Sequence, residues 1–124
     1  MKVKIDTKEV FHVITIEEKV LTAIMAADLK KTIEVEQQSQ CLSLILNFQH
    51  VQEVEQTLLT LLEDLQKSQK AIEKSFVVCS MSNEIQQKLG VHKECDKFHI
   101  TPTESEAWDI VQMEEIEREL GLDI

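Results

Sequence analysis

The chain has 124 residues, 43% of them hydrophobic and 29% charged, with a formal net charge of −10. That length suits one domain around one core, and the composition is globular, which excludes a disordered chain and leaves no room for a second domain. Thirteen Lys and Arg lie scattered among twenty-three Asp and Glu, which argues against a nucleic-acid partner, whose phosphates need clustered cations, and against an anionic membrane.

Met1 to Asp6 alternates charged and apolar residues without the unbroken apolar run of a signal peptide, and no later segment approaches a membrane span. A soluble, cytoplasmic protein without membrane insertion is expected. Val3 and Ile5 alternate with Lys2, Lys4 and Asp6, and Val10 to Ile16 is rich in β-branched and aromatic residues, so both read as strands of an edge hairpin. From Met25 to Gln38, Met25, Ala26, Leu29 and Ile33 fall at helical spacing, leaving Lys30, Lys31, Glu34 and Gln37 for solvent.

Cys41 to Phe48 is almost continuously apolar, as a strand covered on both faces requires, and is assigned to the centre of the sheet. Leu58, Leu61, Leu62 and Leu65 then mark a helix with one buried face. Ser75 to Cys79 is a second buried strand, and Ile85 with Leu89 marks a short helix closed by Gly90. Lys97 to Ile100 is a short last strand. For the final helix, Thr101 or Thr103 is the N-cap, each with a Glu three residues on. Ala107, Ile110, Val111, Met113, Ile116 and Leu120 are expected to face inward, with Gly121 ending the helix. The order ββαβαβαβα implies an α/β fold: a mixed sheet of about four to five strands and about four helices, the later strands parallel through helical crossovers.

Three cysteines are an odd number. Cys41 and Cys79 adjoin the two most apolar runs, so reduced, buried thiols in a reducing compartment are expected. His92, Cys95 and His99 are zinc-type ligands by chemistry, but there is no paired C-x-x-C and no fourth ligand, so no metal is expected. The two glycines, Gly90 and Gly121, sit at predicted helix ends. Phosphate-cradling loops are absent, as is a nucleophile elbow, and neither a cofactor nor a catalytic group is expected.

The order of elements, with NFQHVQEVEQTLLTLLEDL from Asn47, SFVVCSMSNEIQQKLGV from Ser75 and FHITPTESEAW from Phe98, resembles a STAS (sulphate transporter and anti-sigma-factor antagonist) domain of the antagonist type. The resemblance covers almost the whole chain and implies a single STAS-like domain. In that family a Ser at the start of the helix after the central strand is phosphorylated by a partner kinase, and the modification releases the partner. Helix N-termini suit such an anion. Carried over, the family's Asp before the motif falls on Asn47, the motif Asp on Glu55, the phosphorylated Ser on Gln56, the next Ser on Thr57 and the Gly on Leu58.

Gln56 has no hydroxyl, so the resemblance implies a divergent member without the usual phosphoswitch; a shifted acceptor at Thr57 is the alternative, against which Leu58 in place of the Gly removes backbone freedom. Upstream, the family's Gly-x-Leu-Asp becomes Glu18-Lys19-Val20-Leu21. Two readings of Glu55, Gln56 and Thr57 stand side by side. In one they form an ordinary first helical turn, Glu55 meeting the dipole and Gln56 or Thr57 capping stray donors. In the other they belong to a docking surface made of Asn47, Glu55, Gln56, Thr57 and Leu58 with the loop Ser80, Met81, Ser82 and Asn83. The resemblance implies a protein partner such as an anti-sigma factor or kinase-fold ATPase. A subunit of a transport assembly and a small-molecule or lipid carrier are the alternatives. The acidic last helix reads as a solvated face or a surface for a basic partner, and a half-exposed Trp108 as an interface anchor.

Overall fold

The structure is a computed structural model and describes residues 1–91 and 98–121. Strands β1 (Val3–Thr7), β2 (Phe11–Ile16), β4 (Ser43–Asn47), β6 (Phe76–Cys79) and β7 (His99–Thr101) form one sheet in the order β1-β2-β4-β6-β7. β1 runs antiparallel to β2 at the edge, and the other neighbours are parallel. The predicted hairpin, central strand and crossovers are thus all present. A second pairing was not foreseen: β3 (Val20–Leu21) and β5 (Glu53–Val54) make a two-residue parallel ribbon, too short to show an alternating pattern.

Four helices cover the sheet: α1 (Ala23–Ser39), α2 (Leu58–Ala71), α3 (Asn83–Leu89) and α4 (Glu104–Glu119). Period-2 alternation sends Ile14, Ile16, Leu44, Leu46, Phe76, Val78 and Ile100 to one face, where they pack with Leu29 and Ile33 of α1, Leu58, Leu61, Leu62 and Leu65 of α2, and Ile85 and Leu89 of α3. Phe11, Val13, Ile45, Val77 and Cys79 point to the other face and meet Ala107 and Val111 of α4. β4 is buried at every position because helices lie on both sides.

Three helices begin on a capping hydroxyl, of which only that of α4 was among those expected from the sequence. Thr22 Oγ1 accepts from Met25 N at 3.3 Å, Ser82 Oγ accepts from Ile85 N at 3.2 Å, and Thr103 Oγ1 accepts from Glu106 N at 3.3 Å, which settles the N-cap of α4 on Thr103. Gly90 closes α3 at φ +69°, a left-handed conformation open to a residue without Cβ.

Four expectations need correction. Met113, Ile116 and Leu120 are 59%, 56% and 69% exposed. The line of α4 over the sheet runs Ala107, Val111, Glu114, Arg118, and this leaves the competing apolar line on the outer side. Gln37 is half-buried rather than left to solvent: its Nε2 donates to Leu42 O at 2.8 Å and Gln69 Oε1 at 2.7 Å, tying the end of α1 to α2 and to the chain entering β4. Cys41 is exposed, because β4 begins only at Ser43; Cys79 is buried. The last strand starts at His99, and Lys97 lies outside the described residues, as do His92 and Cys95 of the metal reading.

Candidate functional site

The segments singled out in the sequence follow the C-terminal ends of the adjacent parallel strands β4 and β6, whose last residues Asn47 and Cys79 are register partners. Asn47 is only 3% exposed. Its Oδ1 accepts from Gln49 N at 2.8 Å, shaping the turn after β4, and its Nδ2 donates to Glu104 Oε1 at 3.0 Å. Glu104 Oε2 in turn accepts from Trp108 Nε1 at 3.2 Å. Trp108 stands edge-on to Phe11 with centroids 5.2 Å apart, and Lys8 Nζ lies 5.3 Å from its centroid. The indole is therefore engaged within the molecule rather than held out as an anchor.

Beyond Asn47 the chain crosses the end of the sheet, makes the ribbon with β3, and enters α2. Glu55 N donates to Leu21 O at 3.1 Å, which seats the start of α2 beside the start of α1. Thr57 occupies the N-cap position in helical conformation and makes no side-chain cap bond. Instead the first amides close a tight turn, Leu58 N to Glu55 O at 3.0 Å and Leu59 N to Gln56 O at 3.2 Å. Capping by Gln56 or Thr57 is thereby corrected: the backbone satisfies those donors. Glu55, Gln56 and Thr57 are all exposed, whereas Leu58 is 1% exposed and belongs to the core.

After β6, Ser80 takes φ +60°, unusual for a residue with a side chain, and its N donates to Thr101 O at 3.1 Å. Met81 is buried, Ser82 is occupied as the cap of α3, and Asn83 is exposed. This loop and the α2 start line separate depressions. Thr57 borders a shallow groove with Ala23, Ala26, Ala27 and Thr60 from α1 and α2, and Ser80 to Asn83 border another with Gln49, Gln86 and Pro102. Lys88 Nζ donates to Val54 O, binding α3 to the ribbon between them.

Val20 and Ile24 escaped the sequence reading. They are 44% and 78% exposed on the ribbon and the first turn of α1, next to the α2 start. An apolar residue out of phase with the Ala26, Leu29, Ile33 stripe was the available signal at Ile24. Burial pushes the Cys79 thiol up to about 12, with the Glu104 carboxylate adding to the rise against a Ser80 hydrogen bond, so this thiol stays protonated and is a poor nucleophile. Among the described residues no group of His, Cys, Asp and Glu is arranged to hold a metal, and no helix is long and apolar enough to cross a membrane.

The STAS domain family matches residues 2–107. Solved structures share the fold. A putative anti-sigma factor antagonist from Thermotoga maritima is 20% identical, with a TM-score of 0.68 over 81% of this chain and 87% of that one. An anti-sigma-factor antagonist (STAS) domain protein from Planctomyces limnophilus is 17% identical, with a TM-score of 0.72 over 88% and 96%. The murine solute carrier 26 family member A9 anion transporter is 14% identical, with a TM-score of 0.67 over 83% of this chain but 18% of the transporter. No curated protein matches the chain.

Proposed function

Because this chain belongs to the STAS domain family, we propose that it is a non-catalytic regulatory module that docks a protein partner at the start of α2, in the manner of an anti-sigma-factor antagonist. The observation that carries this reading is the exposed trio Glu55, Gln56 and Thr57, whose side chains make no hydrogen bond among the described residues while the backbone closes the turn beneath them. Val20 and Ile24 add exposed apolar area beside that trio. A polar edge next to a desolvatable apolar patch is the usual composition of a docking surface. Asn47, Leu58 and Met81 act from below, holding the loops in place, and Ser80, Ser82 and Asn83 belong to the neighbouring depression.

Gln56 occupies the acceptor position and carries no hydroxyl, so the partner binds without the serine phosphoswitch. The expected partner is an anti-sigma factor or a kinase-fold ATPase. A second reading draws on the transporter relative, which carries a similar fold as 18% of its length: the chain serves as a subunit of a transport assembly, using the same surface.

A pulldown from native lysate tests the docking reading, comparing wild type with Gln56→Asp/Thr57→Asp and with Lys31→Gln/Glu34→Gln on the exposed side of α1, outside the groove that Thr57 borders. One partner recovered by wild type and by the α1 variant but lost with the first variant is the expected result. Recovery by all three removes the α2 start as the docking site. Phosphate found on Thr57 in protein from the native cell removes the claim that the switch is absent.

A further inference from the structure

A cavity of about 490 Å³ opens at the other end of the sheet, where the C-terminal turns of α2 and α4 flank the first residues of β6 and β7. Its floor is a closed polar network. Ser75 Oγ donates to Glu114 Oε1 and accepts from Arg118 Nη2 at 2.9 Å, and Glu114 Oε2 lies 3.2 Å from His99 Nε2. The Glu114 carboxylate is thus fully engaged by Ser75, His99 and Arg118.

Two atoms remain outside this network. Arg118 Nη1 is buried without a hydrogen-bond acceptor, 3.6 Å from Glu115 Oε2, and Gln66 Oε1 is buried without a donor. They are the buried side-chain polar atoms without a hydrogen-bond partner among the described residues, and both residues line this one cavity. Buried polar groups in native proteins are almost always satisfied, so an unpaired donor and an unpaired acceptor on two residues that line one cavity point to something that pairs them. Lys70 and Lys74 also line the cavity and enter no ion pair among the described residues. Among the described residues that line the cavity, Glu73 is the carboxylate outside the network.

Two lysines without an ion pair among the described residues, beside an Arg118 whose Nη1 has no hydrogen-bond acceptor though Glu114 and Glu115 lie within ion-pair distance of its guanidinium, are notable around one opening in a chain of net charge −10. The carbonyl end of α2, which repels anions, is closed off by its own turn: Lys74 N donates to Gln69 O at 2.8 Å and Glu73 N to Lys70 O at 3.1 Å. Three cations suit a phosphate near two negative charges better than a single carboxylate. The cavity is roomier than inorganic phosphate needs and falls in the range of small-molecule sites. Gln66 Oε1 calls for a donor, which a hydroxyl on the organic part supplies.

We propose that this cavity binds a small hydroxylated phosphomonoester, its phosphate oxygens accepting from Arg118 Nη1, Lys70 and Lys74 and its hydroxyl donating to Gln66 Oε1. The site lies at the opposite end of the sheet from the α2 start and stands or falls independently of the docking reading.

The test is an NMR titration of the full chain with glycerol 3-phosphate, inorganic phosphate and glycerol. Saturable shifts at Gln66, Lys70, Lys74 and His99 are expected with glycerol 3-phosphate at about millimolar concentration, with inorganic phosphate about tenfold weaker and glycerol without effect. Lys70→Gln/Lys74→Gln, whose side chains lie outside the core, should weaken binding about tenfold or more, while Lys30→Gln/Lys31→Gln, which removes the same charge elsewhere, should leave it unchanged. Absence of saturable shifts, equal binding of inorganic phosphate, or equal loss in the two double variants each overturns the proposal.

Discussion

α2 and α4 each lie along the sheet with four positions at helical spacing turned toward it, and they fill those positions differently. α2 presents Leu58, Leu61, Leu62 and Leu65, none more than 7% exposed. α4 presents Ala107 and Val111, then Glu114 and Arg118, which bond Ser75 and each other's charge. One seam is held by excluded water throughout, the other only for its first two turns, after which charge-assisted hydrogen bonds take over. An apolar stripe therefore reports that a helix is amphipathic, while the choice of which stripe faces the sheet depends on what the sheet offers. Under the end of α4 the sheet offers Ser75 and His99, and the charged line wins over Met113, Ile116 and Leu120.

The largest effect should come from cutting the apolar seam. Leu62→Ala removes a side chain with no exposure and should cost about 2–5 kcal/mol, read by urea unfolding. A cost under about 1 kcal/mol would mean that α2 is not the main cover of that face.

Glu114→Gln interrogates the polar seam, with an expected loss of about 1–2 kcal/mol near pH 6, reduced because His99 is half exposed. Its signature is pH dependence. The hydrogen bond from Glu114 raises the His99 pKa, so its contribution is complete below the ordinary value of 6.5 and fades as pH rises through the raised value. Burial pushes Glu114 up, but the hydrogen bonds of His99 and Ser75 and the charges of His99 and Arg118 outweigh it and hold the carboxyl below its usual 4.5. Its contribution is complete above 4.5 and is lost as pH falls through the lowered value. Wild type should thus show an extra stability plateau between about 4.5 and 6.5 that the variant lacks; parallel curves for the two proteins would remove the ion pair from the account.

The smallest effect is expected from Met113→Gln with Ile116→Gln, within about 0.5 kcal/mol, because both side chains already meet water. A loss of several kcal/mol would restore the inward placement that periodicity alone suggests.

Legibility of the candidate site followed the same division. Glu55, Gln56 and Thr57 were singled out by the resemblance to the STAS motif that opens the helix after the central strand, and they are exposed. Asn47 looked like another surface residue, yet the end of β4 is roofed by α4, and Glu104 takes its amide. That contact joins residues 57 apart in the chain, and no local pattern announces it. Val20 is recruited by a ribbon two residues long, which leaves no periodic trace.

By itself the sequence determined the order of the main elements, the central place of β4, the Gly90 end of α3 and the absence of a hydroxyl at position 56, because each rests on local chemistry: alternation, helical spacing, a residue without Cβ at a left-handed turn, the identity of one side chain. Tertiary structure alone decided the inward line of α4, the burial of Asn47, the tethering of Gln37 to Gln69 and Leu42, the exposure of Cys41, and the meeting of Arg118 with Gln66, Lys70 and Lys74 around one cavity. Those outcomes depend on which distant polar groups each surface meets once the sheet is closed, and a buried polar group settles where its partner lies.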